Sequence, residues 1–263
     1  MLDEWAASQE PEFAAKVNRH SPTFGRECVP TLARDHVHVW RVSTAGNDCD
    51  AFAEILSPEE RARAARFHFE RDRRSFIVCR GTLRRLISSY TGEDPGGIRF
   101  DIGLQGKPSL PQAHESGLRF NVAHSGELAL LAFARNQEIG VDVEFKRMDV
   151  DFIGLAETSF SREERAAIVA CAPADRGNLF YEYWTCKEAC IKADGRGLSI
   201  PLDQFSVIAP GDQPQWREIV VAEPGTFPSR MWSRILEVGD DYSAALVTNA
   251  PSQQVLQLDT ESP

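Results

Sequence analysis

One series of elements is spelled twice along the chain, and few architectures accommodate such a repeat. HVHVWRV (His36 to Val42) alternates as a strand does, and IGVDVEF (Ile139 to Phe145) does so again. LSPEERARAARF places Ser57 as N-cap, Pro58 at the first helical position and Glu60 as the closing residue of a capping box. FSREERAAIVA repeats the box with Ser161 and Glu164. Each copy then predicts a long helix. RRSFIVCRGTLRRLISSY ends near Tyr90 and Gly92, and NLFYEYWTCKEACIKADG is stopped by Gly195. ELALLAFA (Glu127 to Ala134) and YSAALVTN (Tyr242 to Asn249) close the two halves as apolar strands. Ser57 and Ser161 are 104 residues apart, and so are Val39 and Val143. Coincidence of common short elements is the competing account. The shared spacing predicts two similar α/β lobes joined near Arg135 to Gln137. The expected division is an extension over 1–33, an N-terminal lobe over 34–136, a C-terminal lobe over 137–250 and a tail over 251–263.

Composition narrows the function classes. The 263 residues suffice for one large domain or two small ones. A net charge of −10 argues against a general nucleic-acid or membrane binder. No stretch has the length of an apolar transmembrane helix, and the acidic first thirty residues lack the apolar core of a signal peptide, so a cytoplasmic protein is expected. Six cysteines (28, 49, 79, 171, 186 and 190) form no C-x-x-C pair. Cys186 and Cys190 stand one helical turn apart, read either as small core residues or as a thiol pair for a metal. Between Ser57 and Ile87, nine arginines face four acids, a local net of +5. That segment is either a solvated helical face or a docking surface for something anionic.

In IGVDVEF the period of two puts Ile139, Val141 and Val143 on one face, and Asp142 and Glu144 on the other. Adjacent carboxylates repel unless a proton or cation joins them, and oxygen ligands at i and i+2 suit Mg²⁺. A solvent-facing strand edge is the alternative. The first copy places His38 and Trp40 at the corresponding positions, so the acidic pair is not an architectural requirement. On WTCKEACIKADG, Glu188 and Lys192 share a helix face, either as an ordinary i, i+4 ion pair or as a site. Only five of the 29 basic residues are lysines, and Lys107, Lys187 and Lys192 fall in these motifs, where a compact point charge suits a phosphate. Lys107 lies in a Gly-Pro turn that can present the ammonium outward or be a plain surface turn. His124 sits where a strand meets a turn, in a structural or a catalytic role.

In this order, LSPEERARAARF, GKPSLP, FNVAHSGELALLAF, IGVDVE and FYEYWTCKEACIKADGRGLSIPLDQFSV resemble the motifs of the Sfp-type 4′-phosphopantetheinyl transferase family, from about Leu56 to Val207. The resemblance implies two α/β lobes related by a pseudo-twofold, each a small, mostly antiparallel sheet packed on helices, with coenzyme A held between them. It implies Asp142, Glu144 and Glu188 as Mg²⁺ ligands and Lys192 on the pyrophosphate. Lys107, Pro108, Ala123 and His124 match positions at the nucleotide end, and Arg63 a basic position near the 3′-phosphate. The implied reaction is attack by a carrier-protein serine on the β-phosphorus, releasing adenosine 3′,5′-bisphosphate, with Glu188 as base. The spelling leans toward carriers of secondary metabolism, and two lobes in one chain make a monomer sufficient. Two departures stand out. Ala123 replaces a common serine, and Glu60 stands where some relatives carry lysine, leaving the 3′-phosphate to Arg63. A Mg²⁺-dependent phosphohydrolase using the same carboxylates, and a binding protein without turnover, are the other readings.

Overall fold

The computed structural model describes residues 29–45, 49–103, 105–111, 114, 116–207, 216–221, 227, 230–250 and 254–260. The expected extension up to residue 28, with Cys28, lies outside the described residues, as do 251–253 and 261–263. In chain order the first half runs β1 (His36–Ser43), α1 (Cys49–Ala53), α2 (Pro58–Ala64), α3 (Glu70–Thr91), β2 (Asp101–Ile102), β3 (Pro108–Ser109), β4 (Leu118–Ser125) and β5 (Leu128–Arg135). The second runs β6 (Ile139–Phe145), α4 (Phe152–Ser159), α5 (Arg162–Ala170), α6 (Arg176–Asp194), β7 (Phe205–Ser206), β8 (Arg217–Glu218), β9 (Val220–Val221), β10 (Trp232–Leu236) and β11 (Tyr242–Thr248), with β12 (Gln254–Asp259) after it.

The repeat survives at every level. Both capping boxes form: Ser57 and Ser161 each accept from the amide three residues on, and Glu60 and Glu164 reach back to the N-cap amides. Both long helices end on left-handed glycines, Gly92 at φ 83° and Gly195 at φ 89°. In the first sheet β1 pairs antiparallel with β5, and β5 with β4. In the second, β6 pairs antiparallel with β11, and β11 with β10. Each lobe has its own apolar core, centred on Leu83, Leu86 and Phe133 in one and on Phe160, Tyr183 and Phe205 in the other. A third cluster belongs to both sheets, joining Val37, Val39, Leu130 and Ala132 to Ile139, Val141, Val143 and Leu246. Burial of two apolar sheet faces against each other holds the lobes together.

A buried ion pair repeats as well. Glu60 accepts from Arg84 at 2.8 Å, and Arg84 also donates to the carbonyls of Pro95 and Ile98. Glu164 pairs with Lys187 at 2.9 Å, and Lys187 donates to the carbonyls of Leu202 and Phe205. In both lobes the glutamate that caps the short helix neutralises a cation on the long one, and that cation pins the segment that follows. Lys187, with a fully buried side chain, is therefore bound to backbone and to Glu164. That corrects its reading as a charge for phosphate.

Two other expectations change, and the choice between the two cysteine readings is resolved. Residues 254–259, expected within a tail, form β12, parallel to β1 in the first lobe's sheet. Val255 packs in the shared cluster and Leu258 in the first core, and the strand covers an edge that β1 would otherwise leave open. Cys186 and Cys190 are buried in the second core, and all five described cysteines are free thiols, so core packing is the reading that holds. The arginine segment is not uniformly solvated, because Arg84 is 1% exposed.

Helix α6 lies directly on β6. A Cβ on Gly140 would stand 2.0 Å from the Ala189 carbonyl oxygen and 2.5 Å from the Ala193 nitrogen, so only glycine permits this approach. Both obstacles are backbone, which cannot rotate away. Gly140→Ala is expected to destabilise the protein by about 1–3 kcal/mol through overpacking. Urea unfolding measures it, and an unchanged midpoint would show that the helix can shift freely.

Candidate active site

The close approach at Gly140 brings side chains of α6 against those of β6. Asp142 is 2% exposed, and its Oδ1 accepts from the Lys192 ammonium at 2.5 Å. Its Oδ2 is buried without a hydrogen-bond partner in the structure. Burial pushes the Asp142 carboxyl up, against the pull of Lys192. Burial alone would lower Lys192, but the charge and hydrogen bond of Asp142, with the charges of Glu188 and Glu144, hold it above its ordinary value. Lys192 is thus the shared counter-ion of three carboxylates drawn from a strand and a helix.

Glu144 lies at the far end of β6. Its Oε2 accepts from the Ser125 hydroxyl at 2.9 Å. Burial and the neighbouring Asp142 charge push its carboxyl up to about 7, while hydrogen bonding from Ser125, the charge of Lys192 and hydrogen bonding from Trp184 pull against the rise. Glu188 is half-buried one turn before Lys192. Among the described residues, no group of three or more His, Cys, Asp or Glu side chains is closed into a ready metal cage. The acids converge on a lysine.

The remaining expected residues divide. Lys107 does not present its ammonium outward. It donates to the carbonyls of Lys192 at 2.6 Å and Ala193 at 3.1 Å. The last carbonyls of a helix lack intrahelical partners and carry the negative end of its dipole, so a nearby ammonium settles there. Pro108 opens β3, paired with Ile102. Ala123 is buried in the apolar cluster between the sheets, whereas His124 is exposed. Arg63 stands on α2, exposed, with its guanidinium 5.2 Å from the centre of the Phe76 ring. Glu60, beside it in the helix, is committed to its capping box and to Arg84.

Sequence reasoning overlooked Ser125 and Asn121. Among the described residues one edge of β6 is paired with another strand, and two amides on its other edge are satisfied by side chains. Asn121 accepts from Val141 N at 2.9 Å and Ser125 from Phe145 N at 3.0 Å. Both come from the other lobe. A serine after a histidine in a turn sequence gives no sign of that partner.

The raised carboxyl of Glu144 has a consequence for stability. The folded chain holds that proton more tightly than the unfolded chain, so ionising Glu144 weakens the fold as pH rises from about 4.5 to about 7. In chelator, Glu144→Gln should therefore melt higher than the parent at pH 8, with the gain gone by about pH 4.5. Equal melting temperatures at pH 8 would show that the carboxylate is not strained.

Comparison with known proteins agrees with this division into lobes. The family model described as "4'-phosphopantetheinyl transferase superfamily" matches residues 138–247, and that described as "4'-phosphopantetheinyl transferase, N-terminal" matches residues 39–136. The 4'-phosphopantetheinyl transferase HetI of Nostoc sp. (strain PCC 7120) is 36% identical over 223 residues, covering 84% of this chain and 90% of the relative. The 4'-phosphopantetheinyl transferase Sfp of Bacillus subtilis (strain 168) is 34% identical over 158 residues, covering 60% and 68%. A putative 4'-phosphopantetheinyl transferase of Synechocystis sp. (strain PCC 6803), slr0495, is 34% identical over 166 residues, covering 63% and 68%. With both lobes matched and one relative aligned along most of its length, the chain belongs to the 4′-phosphopantetheinyl transferase superfamily.

Proposed function

We propose that this chain transfers the 4′-phosphopantetheine arm of coenzyme A to a serine of an apo carrier protein, with adenosine 3′,5′-bisphosphate as the other product. Membership of the superfamily supports it, and so does the convergence of Asp142, Glu144 and Glu188 on Lys192 where β6 meets α6. The relatives are named as transferases, which lends the phosphohydrolase and the non-catalytic binder no support.

The carboxylate set fits a hard divalent cation. Asp142 Oδ2 is a buried oxygen without a partner, and Glu144 is burdened by a like charge that a cation relieves. Asp142, Glu144 and Glu188 would hold Mg²⁺. Bound there, it would screen the diphosphate of coenzyme A and offset the charge that builds on the leaving group.

The chain's own residues supply the rest. Glu188, directly or through a water, takes the proton of the carrier serine as that oxygen bonds to the β-phosphorus. The bond from phosphorus to the oxygen bridging the diphosphate breaks, and its electron pair leaves on adenosine 3′,5′-bisphosphate. Lys192 presents a fixed positive charge to the diphosphate. Such transfer is mostly positioning and electrostatics, so no covalent intermediate on the enzyme is needed. Arg63, Pro108, Ala123 and His124 are assigned to the nucleotide end. Lys107, with its ammonium on the helix terminus, contributes there through the shape of its turn. Among the described residues no helix is long and apolar enough to cross a membrane. A cytoplasmic monomer acting on carriers of secondary metabolism completes the proposal.

Incubation with coenzyme A, Mg²⁺ and several apo carrier domains, followed by mass spectrometry of the carriers, tests the reading. One phosphopantetheine adduct per carrier is expected, and none on any carrier would overturn it. Asp142→Ala should abolish transfer with the circular dichroism spectrum unchanged. Glu188→Gln should lower kcat at least ~10²-fold, the scale of losing one well-placed electrostatic group. A change confined to the KM for coenzyme A would remove Glu188 from the base role.

A further inference from the structure

We infer that Ser125, on the first lobe, is a positioning residue for Glu144 on the second: its hydroxyl fixes the rotamer in which that carboxylate meets a divalent cation. The inference rests on the reading of Glu144 as a cation ligand.

The hydroxyl has a single proton, and its neighbours dictate where that proton goes. The Phe145 amide can only donate, so at 3.0 Å it occupies a lone pair of Ser125 Oγ. Glu144 Oε2, at 2.9 Å, is then the acceptor for the hydroxyl proton. One hydroxyl thereby ties the backbone after Glu144 and the carboxylate of Glu144 to the same point. The carboxylate loses its freedom to swing, and one of its oxygens is marked as an acceptor.

That point is itself rigid. Ser125 ends β4 at the turn into β5, where Gly126 adopts φ 56°. A Cβ on Gly126 would lie 2.9 Å from the Tyr242 hydroxyl, and that hydroxyl accepts from Glu127 N at 3.3 Å. The turn is thus seated against β11 of the second lobe, and the distance from Ser125 to Glu144 is set by contacts on both sides of the lobe boundary. The neighbouring Asn121 caps Val141 N without touching a carboxylate, so capping the strand edge does not by itself require a bond to Glu144. Groups that orient a metal ligand usually contribute 10–100-fold to metal affinity.

The test is calorimetric titration of the full chain with MgCl₂, with and without coenzyme A, together with transfer rates at increasing Mg²⁺. Ser125→Ala should weaken Mg²⁺ binding roughly 10–100-fold. Its half-saturating Mg²⁺ concentration should rise in parallel, while the KM for coenzyme A stays unchanged and high Mg²⁺ restores kcat. Ser125→Cys keeps the shape with a poor donor and should behave like Ser125→Ala even where the alanine variant folds badly. Ser125→Thr retains the hydroxyl and should titrate like the parent. Parental Mg²⁺ affinity in both the alanine and cysteine variants would overturn the inference and leave the Glu144 reading standing. So would a loss of rate that no Mg²⁺ concentration recovers, since that marks a structural role alone. A parent chain that takes up no Mg²⁺ would overturn both.

Discussion

The site depends on how closely a helix can approach a strand. Gly140 lets the backbone of α6 rest on β6, and every candidate catalytic group lies within a turn or two of that contact. Asp142 and Glu144 lie two and four residues beyond it on the strand, and Glu188 and Lys192 flank Ala189 on the helix. With a larger residue at 140 the helix would stand off, and the bond between Lys192 and Asp142 would lengthen or break. Burial then sharpens the electrostatics. Carboxylates taken out of water are costly as anions, so three of them around one ammonium make a region poised to take more positive charge.

The two lobes show how a duplicated scaffold carries different chemistry. Where the second lobe has Asp142 and Glu144, the first has His38 and Trp40. His38 is fully buried and held down to about 4 by burial and by His36. The Trp40 indole donates to Tyr90 Oη at 2.8 Å, and Tyr90 in turn has His38 Nδ1 at 2.8 Å. The indole can only donate and so occupies a lone pair of the phenol, while Nε2 of His38 is buried without a hydrogen-bond partner. The same strand positions thus support a neutral polar trio in one lobe and a charged cluster in the other. The ion pairs Glu60–Arg84 and Glu164–Lys187 are kept in both, which marks them as part of the scaffold.

Legibility in the sequence followed the range of the interaction. Capping boxes, glycine stops and alternating strands involve residues within a few positions of each other, and they stand where the spelling puts them. The face of β6 that carries Asp142 was legible for the same reason. Lys107 was misread because a Gly-Pro turn says where the backbone bends but not that a helix terminus lies within reach of the ammonium. Lys187 was misread because its partner Glu164 already had a local role. The strand over 254–259 was missed because its partner lies more than 200 residues earlier.

By itself the sequence determined the repeat, two capped helix starts, two glycine helix stops, the paired carboxylates and the family to which they point, because each is written in local periodicity or in a contiguous motif. Tertiary structure alone decided that Lys192 rather than solvent faces Asp142, that Ser125 reaches Glu144 across the lobe boundary, and that the C-terminal strand closes the first sheet. Those contacts join residues tens to hundreds of positions apart. Packing two apolar sheet faces together creates them, and no local pattern encodes the register in which those faces meet.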